Sequence, residues 1–368
     1  MQKSKIQIKN QKYTIAVLGS HSALDVCRGA KDLGFKTLVV VQKGRDKTYA
    51  KYYKTYGELG CVDEVIELDK FSDILSEKIQ KELLSKNCIF IPHRSFEVYL
   101  NDYNAIEKKF KVPIFGNRFL LRTEERTEKT NQYDLLAKAD IKYPKQFNSY
   151  QDIDRLVMVK VPERKRGYER AFFVVNSVGQ YNIESERLIG ERKITRDGLK
   201  SAVIEEFILG VQVNLNFFYS SVHKRLELIG TDTRRQTNIE GFLKLPGLYQ
   251  PQVRENISYE EAGHIAVTML ESLIETAMDI GEKFVKVSQE LFPPGVIGPF
   301  SLQSFITTGS SKKEFIVFDV SPRMPGSPGI FATPYSGYLY GQNISMGKRV
   351  AMEIKEAIEK GKLDKILT

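Results

Sequence analysis

Residues 14–91 alternate apolar strand runs with amphipathic helical stretches, and few folds accommodate that rhythm. Thr14-Ile15-Ala16-Val17-Leu18 is a buried-strand run that breaks at Gly19-Ser20-His21-Ser22. A helical pattern follows from Ala23 to Leu33, with Gly34 in a C-cap position. Lys36-Thr37-Leu38-Val39-Val40-Val41 reads as a second strand and Val65-Ile66-Glu67-Leu68 as a third. Ser72 to Lys86 predicts an amphipathic helix with Ser72 as N-cap, and Cys88-Ile89-Phe90-Ile91-Pro92 a fourth strand. Such alternation predicts a parallel sheet with helices on both faces. Ligands of these sheets bind beyond the carboxyl ends of the strands, which puts His21 and His93 at the functional edge.

Past a further helix expected over Thr127–Ala139, the texture changes. Leu156–Val161 and Arg170–Val175 flank a charged turn and read as an antiparallel pair. Ala202–Phe207, Val211–Ser220 and Leu226–Asp232 read as strands, Ser258 to about Leu291 as one long helix, and Ser345–Lys360 as the last helix. The fold class is α/β, passing to α+β in the C-terminal part.

Composition narrows the function. The chain has 368 residues, 42% of them hydrophobic, enough for two or three domains with real cores. No apolar run reaches membrane-spanning length, and the lysine-rich start lacks a signal-peptide segment, so a soluble cytoplasmic protein is expected. Cys27, Cys61 and Cys88 form no disulfide or metal pattern and should be reduced and buried; the four histidines lack zinc spacing. The net charge of +9 is dispersed and mixed with acids, which suits a phosphate-rich small ligand better than a nucleic acid track.

Four features follow one another in order. Lys160 ends an apolar strand before an arginine-rich loop, where it can reach nucleotide phosphates or simply be solvated. Ile204-Glu205-Glu206-Phe207-Ile208-Leu209-Gly210 is an apolar stretch with two acids, either surface charge or a hinge offering backbone groups to an adenine edge. Gln303 stands among apolar residues. Asp319, Ser321 and Arg323 end the run Phe315–Arg323 on alternate positions, so they are expected to project together. A carboxylate, a hydroxyl and a guanidinium suit a Mg²⁺-bound phosphate tail; the alternative is a surface hairpin with a salt bridge.

The ordered set resembles the ATP-grasp superfamily. The resemblance implies an N-terminal doubly wound α/β domain (1–122), a central ATP-grasp subdomain (123–210) and a C-terminal ATP-grasp domain with the metal site (211–368). It implies ATP and Mg²⁺ (or Mn²⁺) as cofactors, with Lys160, Glu205, Glu206 and Ile208 on the nucleotide, Gln303 and Asp319 on the metal, and Arg323 and Lys160 in catalysis. Val17–Leu24, Lys43-Gly44-Arg45-Asp46, Ile91–Phe96, Phe115–Arg118, Thr237–Gly241, Pro293–Phe300 and Asn343–Gly347 further resemble the archaeal PurP family. Members join formate to the amine of AICAR ribotide with ATP, giving FAICAR, ADP and phosphate. The resemblance places His21, Ser95 and Asn238 on the ribotide and suggests a trimer or hexamer. Amides of residues 20–23 are expected to bind an anion at a helix N-terminus. From the residues alone, His21 is also readable as a strand–helix turn, Ser95 as an N-cap, Asn238 as an Asx turn, and Arg234 and Arg235 as phosphate ligands or a solvated pair. One departure stands out: Pro162–Arg170 has a single glycine, Gly167, where the family has a glycine-rich phosphate loop. Arg164, Lys165, Arg166 or Arg170 would then substitute, or the enzyme would take another carboxylate and amine. A basic, non-catalytic nucleotide- or nucleic-acid-binding protein is the reading from another class.

Overall fold

The computed structural model describes residues 12–161, 172–253, 257–258, 261–308 and 312–368. Strands β1 (Thr14–Leu18), β2 (Lys36–Gln42), β3 (Glu64–Leu68) and β4 (Cys88–Ile91) form a parallel sheet in the order β3-β2-β1-β4. Side chains alternate between its faces. Ile15, Val17, Val39 and Val41 enter one core, while Ala16, Leu18, Leu38 and Val40 enter another with Phe90, Phe96 and Phe110. The expected doubly wound layer is present.

A smaller antiparallel sheet takes β5 (Gln146–Phe147), β6 (Val157–Lys160), β7 (Phe172–Val175) and β8 (Val203–Glu206) in the order β5-β8-β6-β7. A five-stranded antiparallel sheet takes β9 (Val211–Ser220), β10 (Arg225–Arg235), β11 (Gly263–Ala266), β12 (Gly298–Thr308) and β13 (Lys313–Ser321) in the order β11-β10-β9-β12-β13. The closing helix Met346–Lys360, capped by Ser345 Oγ accepting from Lys348 N, returns to the first layer and packs on the helix Ala23–Asp32. Gly29 and Gly347 permit this approach. A Cβ at Gly29 would fall 2.3 Å from Lys348 N, and one at Gly347 2.2 Å from Asp25 O.

Three helix expectations are corrected. The stretch from Ser72 breaks into a 3₁₀ turn, Phe71–Leu75, and a helix, Glu77–Ser85, because Ser76 is extended (φ −64°, ψ 145°); Ser72 caps neither. The helix expected from Thr127 begins at Gln132, where Asn131 accepts from Tyr133 N at 2.9 Å and Asp134 accepts from Asn131 N at 2.8 Å. The long helix is only Ile274–Leu291: its expected first part instead supplies β11, paired along β10, starting at Gly263 with φ 139°. Cys27, Cys61 and Cys88 are buried free thiols. Among the described residues no helix is long and apolar enough to cross a membrane.

Candidate active site

Strand register builds a polar row across the five-stranded sheet. Asp319 on β13 lies opposite Gln303 on β12, Gln303 opposite Asn214 on β9, and Asn214 opposite Asp232 on β10. Directly opposed side chains share a face. The other face is the apolar core of Val213, Leu215, Phe217, Leu302 and Val317. The register shifts between Gln303 and Ser304, leaving Phe318 as the extra residue. Val317 and Val320 therefore both enter the core and Asp319 turns to the polar side.

Asp319 is the meeting point at the β13 end of this row. Its Oδ1 accepts from Arg126 Nη2 at 2.6 Å and its Oδ2 from Gln303 Nε2 at 2.8 Å. Arg126 Nε donates to Tyr133 Oη at 3.2 Å, and Tyr133 Oη donates to Glu205 Oε2 at 2.8 Å. The other oxygen of Glu205 is salt-bridged to Lys160. One continuous polar chain thus joins β6, β8, the start of the helix Gln132–Lys138, and β13. Burial acts most strongly on Lys160 and lowers its pKa, although Glu205 opposes this. Burial alone would raise the Asp319 carboxyl, but Arg126, Lys160 and Arg234 hold it below the usual range.

The expected nucleotide residues divide. Glu205 turns inward to Lys160, whereas Glu206, its neighbour, meets Arg155 at 3.3 Å on the outer side. Ile208 is half-buried in a non-strand link, since β8 stops at Glu206. Arg323 also departs from expectation. The strand ends at Ser321, and the Arg323 guanidinium turns to Glu124 (Nη2–Oε1 2.6 Å, Nε–Oε2 3.0 Å) and to Glu97 at 3.4 Å, away from the Asp319 pairings. Burial and the neighbouring Glu124 charge raise the Glu97 carboxyl. Residues 162–171, with Arg164, Lys165, Arg166, Gly167 and Arg170, lie outside the described residues.

At the carboxyl ends of β1 and β4, His21 and His93 stack with ring centroids 5.3 Å apart. His21 holds φ 51°, which aims its ring from the turn. Its surface is open, yet it lies in a recess crowded by protein. Burial in that recess lowers its pKa most, followed by Arg323, His93, His264 and Arg234. Burial likewise takes His93 down to about 4 although its Nε2 meets Leu18 O at 2.9 Å. Both rings are neutral at pH 7. Ser95 is no N-cap, since His93 occupies that position; its Oγ donates to Ser20 Oγ at 3.0 Å, beside His21. Of the amides expected to bind an anion, Ser20 N is bonded to Leu18 O and Ala23 N to Ser20 O. Asn238 stands at the exposed start of the helix Ile239–Leu243. Its Oδ1 accepts from Ser258 N at 2.9 Å, and its Nδ2 donates to Ser258 Oγ at 3.3 Å. Arg234 and Arg235 meet Glu261 at 3.6 Å and Glu240 at 2.9 Å. The charge of Arg234 acts on both Asp319 and His21.

Sequence reasoning missed Arg126, Tyr133, Glu97, Glu124, and a cluster of Asn214, Asn216, Asp232 and His264. Only the last left a local trace: Gln212, Asn214 and Asn216 are polar on alternate positions of β9 between apolar residues.

The donors suit a metal ion only in company. Among the described residues no three His, Cys, Asp or Glu side chains are arranged to hold one. Asp319 offers a single carboxylate, already bonded by Arg126, with Gln303 and Ser321 beside it. That set fits a hard cation that keeps waters and phosphate oxygens, not a protein cage.

Two family descriptions match the chain: "Protein of unknown function (DUF1246)" over residues 15–147 and "Domain of unknown function (DUF1297)" over residues 180–368. The chain is 39% identical to the 5-formaminoimidazole-4-carboxamide-1-(beta)-D-ribofuranosyl 5'-monophosphate synthetase of Methanothermobacter thermautotrophicus, over 96% of this chain and 94% of that protein. The protein of the same name from Methanocaldococcus jannaschii is 38% identical over 96% and 95%. The crystal structure of an IMP biosynthesis protein PurP from Thermococcus kodakaraensis superposes with TM-score 0.70 and 28% identity, covering 96% of this chain and all of that one (100%). An ADP complex of N5-carboxyaminoimidazole ribonucleotide synthetase shares the fold, with TM-score 0.60, 13% identity, and coverage of 91% and 78%. The ATP-grasp architecture expected from the sequence is the one observed.

Proposed function

This chain belongs to the 5-formaminoimidazole-4-carboxamide ribotide synthetase family, and from that premise we propose that it uses ATP to join formate to the amine of AICAR ribotide, giving FAICAR, ADP and phosphate. Formate is a poor electrophile. Phosphoryl transfer to it gives formyl phosphate, and the amine attacks the formyl carbon as phosphate leaves. Three anions must be held together, so catalysis rests on positioning and charge neutralisation. The observation that carries this reading is the polar chain Lys160–Glu205–Tyr133–Arg126–Asp319–Gln303, with the stacked His21–His93 pair at the carboxyl ends of β1 and β4.

On this reading Lys160 neutralises nucleotide phosphate, and the segment from Glu205 to Ile208 borders the adenine. Asp319, with Gln303, would hold the Mg²⁺ or Mn²⁺ that accompanies the phosphates, whose chemistry is charge neutralisation. Arg323, fixed by Glu97 and Glu124, keeps a cation beside His21 and His93 for the reacting acid. His21 and Ser95 meet the ribotide, with Asn238 reaching it from the opposite element. The same reading divides the chain at about residues 122 and 210, sets it in the cytoplasm, and assembles it as a trimer or hexamer.

ADP release by the purified protein, measured with formate and AICAR ribotide singly and together, is the test. Release that requires both supports the proposal; release indifferent to both sinks it. The single glycine of Pro162–Arg170 favours a second reading, a ligase for a different carboxylate and amine. Formate or AICAR ribotide replaced by other acids and ribotides in the same assay would reveal it.

A further inference from the structure

We infer that His264, held by Asp232 and flanked by Asn214 and Asn216, receives the proton that the attacking amine loses. The inference rests on the amine-formylating reading above and gives its second step a proton acceptor.

Asp232 is buried on β10. Its Oδ1 accepts from Asn216 Nδ2 at 2.6 Å and its Oδ2 from Asn214 Nδ2 at 2.8 Å; Oδ2 also lies 2.5 Å from His264 Nδ1. An ionised carboxylate only accepts, so Nδ1 carries a proton, and in that tautomer of the unprotonated ring the lone pair lies on Nε2. Burial would raise the Asp232 carboxyl, but the bonds from His264, Asn216 and Asn214 keep it below the ordinary range, and it stays an anion at neutral pH. The arrangement is a base oriented by a buried acid.

The asparagines supply an independent observation. Both turn their amide nitrogens to Asp232, which forces both amide oxygens away from it. Oδ1 of Asn214 and Oδ1 of Asn216 are buried with no hydrogen-bond partner. Buried acceptors of this kind call for donors. An aromatic amine with a neighbouring carboxamide brings N–H donors; a carboxylate or phosphate would meet only lone pairs.

The cluster is continuous with the site. Ser327 Oγ lies 3.0 Å from His264 Nδ1. The preceding residue, Gly326, packs on His21 so closely that a Cβ would fall 2.7 Å from His21 Nε2. Along the sheet, Asn214 lies opposite Gln303, next to Asp319. The row therefore runs from the phosphate-transfer end to His264.

In the step, the amine nitrogen bonds to the formyl carbon, the carbon–oxygen bond to phosphate breaks, and phosphate leaves with the electron pair. The proton from nitrogen passes to His264 Nε2 and then to solvent. The charged and titratable groups around His264 are Asp232 and Arg234 on β10, Glu261 with Oε1 3.9 Å from Nε2, and His21. Arg235, the next along β10, is engaged by Glu240.

The test uses the full chain with ATP, formate and AICAR ribotide. Two quantities are read: the pH profile of kcat/KM for the ribotide, and formate-dependent positional isotope exchange in ATP, which reports the first step alone. His264→Gln should lower kcat about 10²–10⁴-fold and abolish the acid limb of the profile, while isotope exchange continues. Asp232→Asn keeps the shape but removes the anion; it should lower kcat in the same direction while isotope exchange continues. Wild-type kcat with an intact acid limb in His264→Gln overturns the inference. Loss of isotope exchange along with turnover also overturns it, because His264 would then serve the first step or the fold. A wild-type protein that releases no ADP with formate and ribotide refutes the underlying reading instead.

Discussion

Asp319 concentrates the electrostatics of the site in one side chain. It is bonded by Arg126 and Gln303 and feels Lys160 and Arg234, and these cations keep it ionised despite burial. Asp319→Ala leaves Arg126 and Lys160 without their shared anion and, on the proposed function, the nucleotide's cation without its carboxylate. Turnover should fall about 10²–10³-fold, whereas AICAR ribotide binding by calorimetry should persist. Undiminished kcat would take Asp319 out of the site. Lys160, Glu205, Gln303 and Asp319 were legible because each interrupts an apolar run. Arg126 was not, because it stands in Glu124-Glu125-Arg126-Thr127-Glu128-Lys129, a stretch in which every residue but Thr127 is charged.

Among the elements, the helices Ala23–Asp32 and Met346–Lys360 approach closely, and Asp25 sits within their contact, its Oδ2 accepting from Gly347 N at 2.9 Å. Burial pushes the Asp25 carboxyl from 3.8 to about 6, only partly offset by bonds from Ser345 and Gly347. The folded state therefore holds this proton more tightly than the unfolded chain. Stability from Asp25 is lost as pH rises from about 4 to about 6 and stays lost above, a change of about 3 kcal/mol. Urea unfolding of Asp25→Asn should show the variant gaining up to that amount on the wild type between pH 4 and pH 7. A difference that does not vary with pH would contradict the assignment. The two helices themselves were readable from periodicity and caps; their contact was not, because it depends on two glycines 318 positions apart, at 29 and 347.

Across the whole molecule, the end of the chain is stitched into the first layer. Ile114 N donates to Thr368 O at 3.0 Å, Thr368 N to Ile114 O at 2.9 Å, and Gly116 N to Ile366 O at 3.0 Å. Ile366 is fully buried, and Arg118 gathers the carbonyls of Ile106, Phe110, Val112 and Thr368. Removing residues 363–368 should cost roughly 3–5 kcal/mol, seen as a lower unfolding temperature. An unchanged thermal transition would show that these contacts contribute nothing. The sheet carrying His21 and His93 thus depends on residues from the far end of the chain.

Local pattern determined the kinds of element, the parallel layer that opens the fold, and the short set of polar side chains that interrupt the apolar strands of the candidate site, because burial imposes a period of two or of three to four residues on any chain that forms a core. Tertiary structure alone decided that Glu205 and Glu206 part company, that Arg323 turns to Glu97 and Glu124, that residues 263–266 pair as a strand, and that His264 meets Asp232. Each of these depends on which strand supplies the hydrogen bonds and in what register. That choice is made between segments distant in sequence, and no local window contains it.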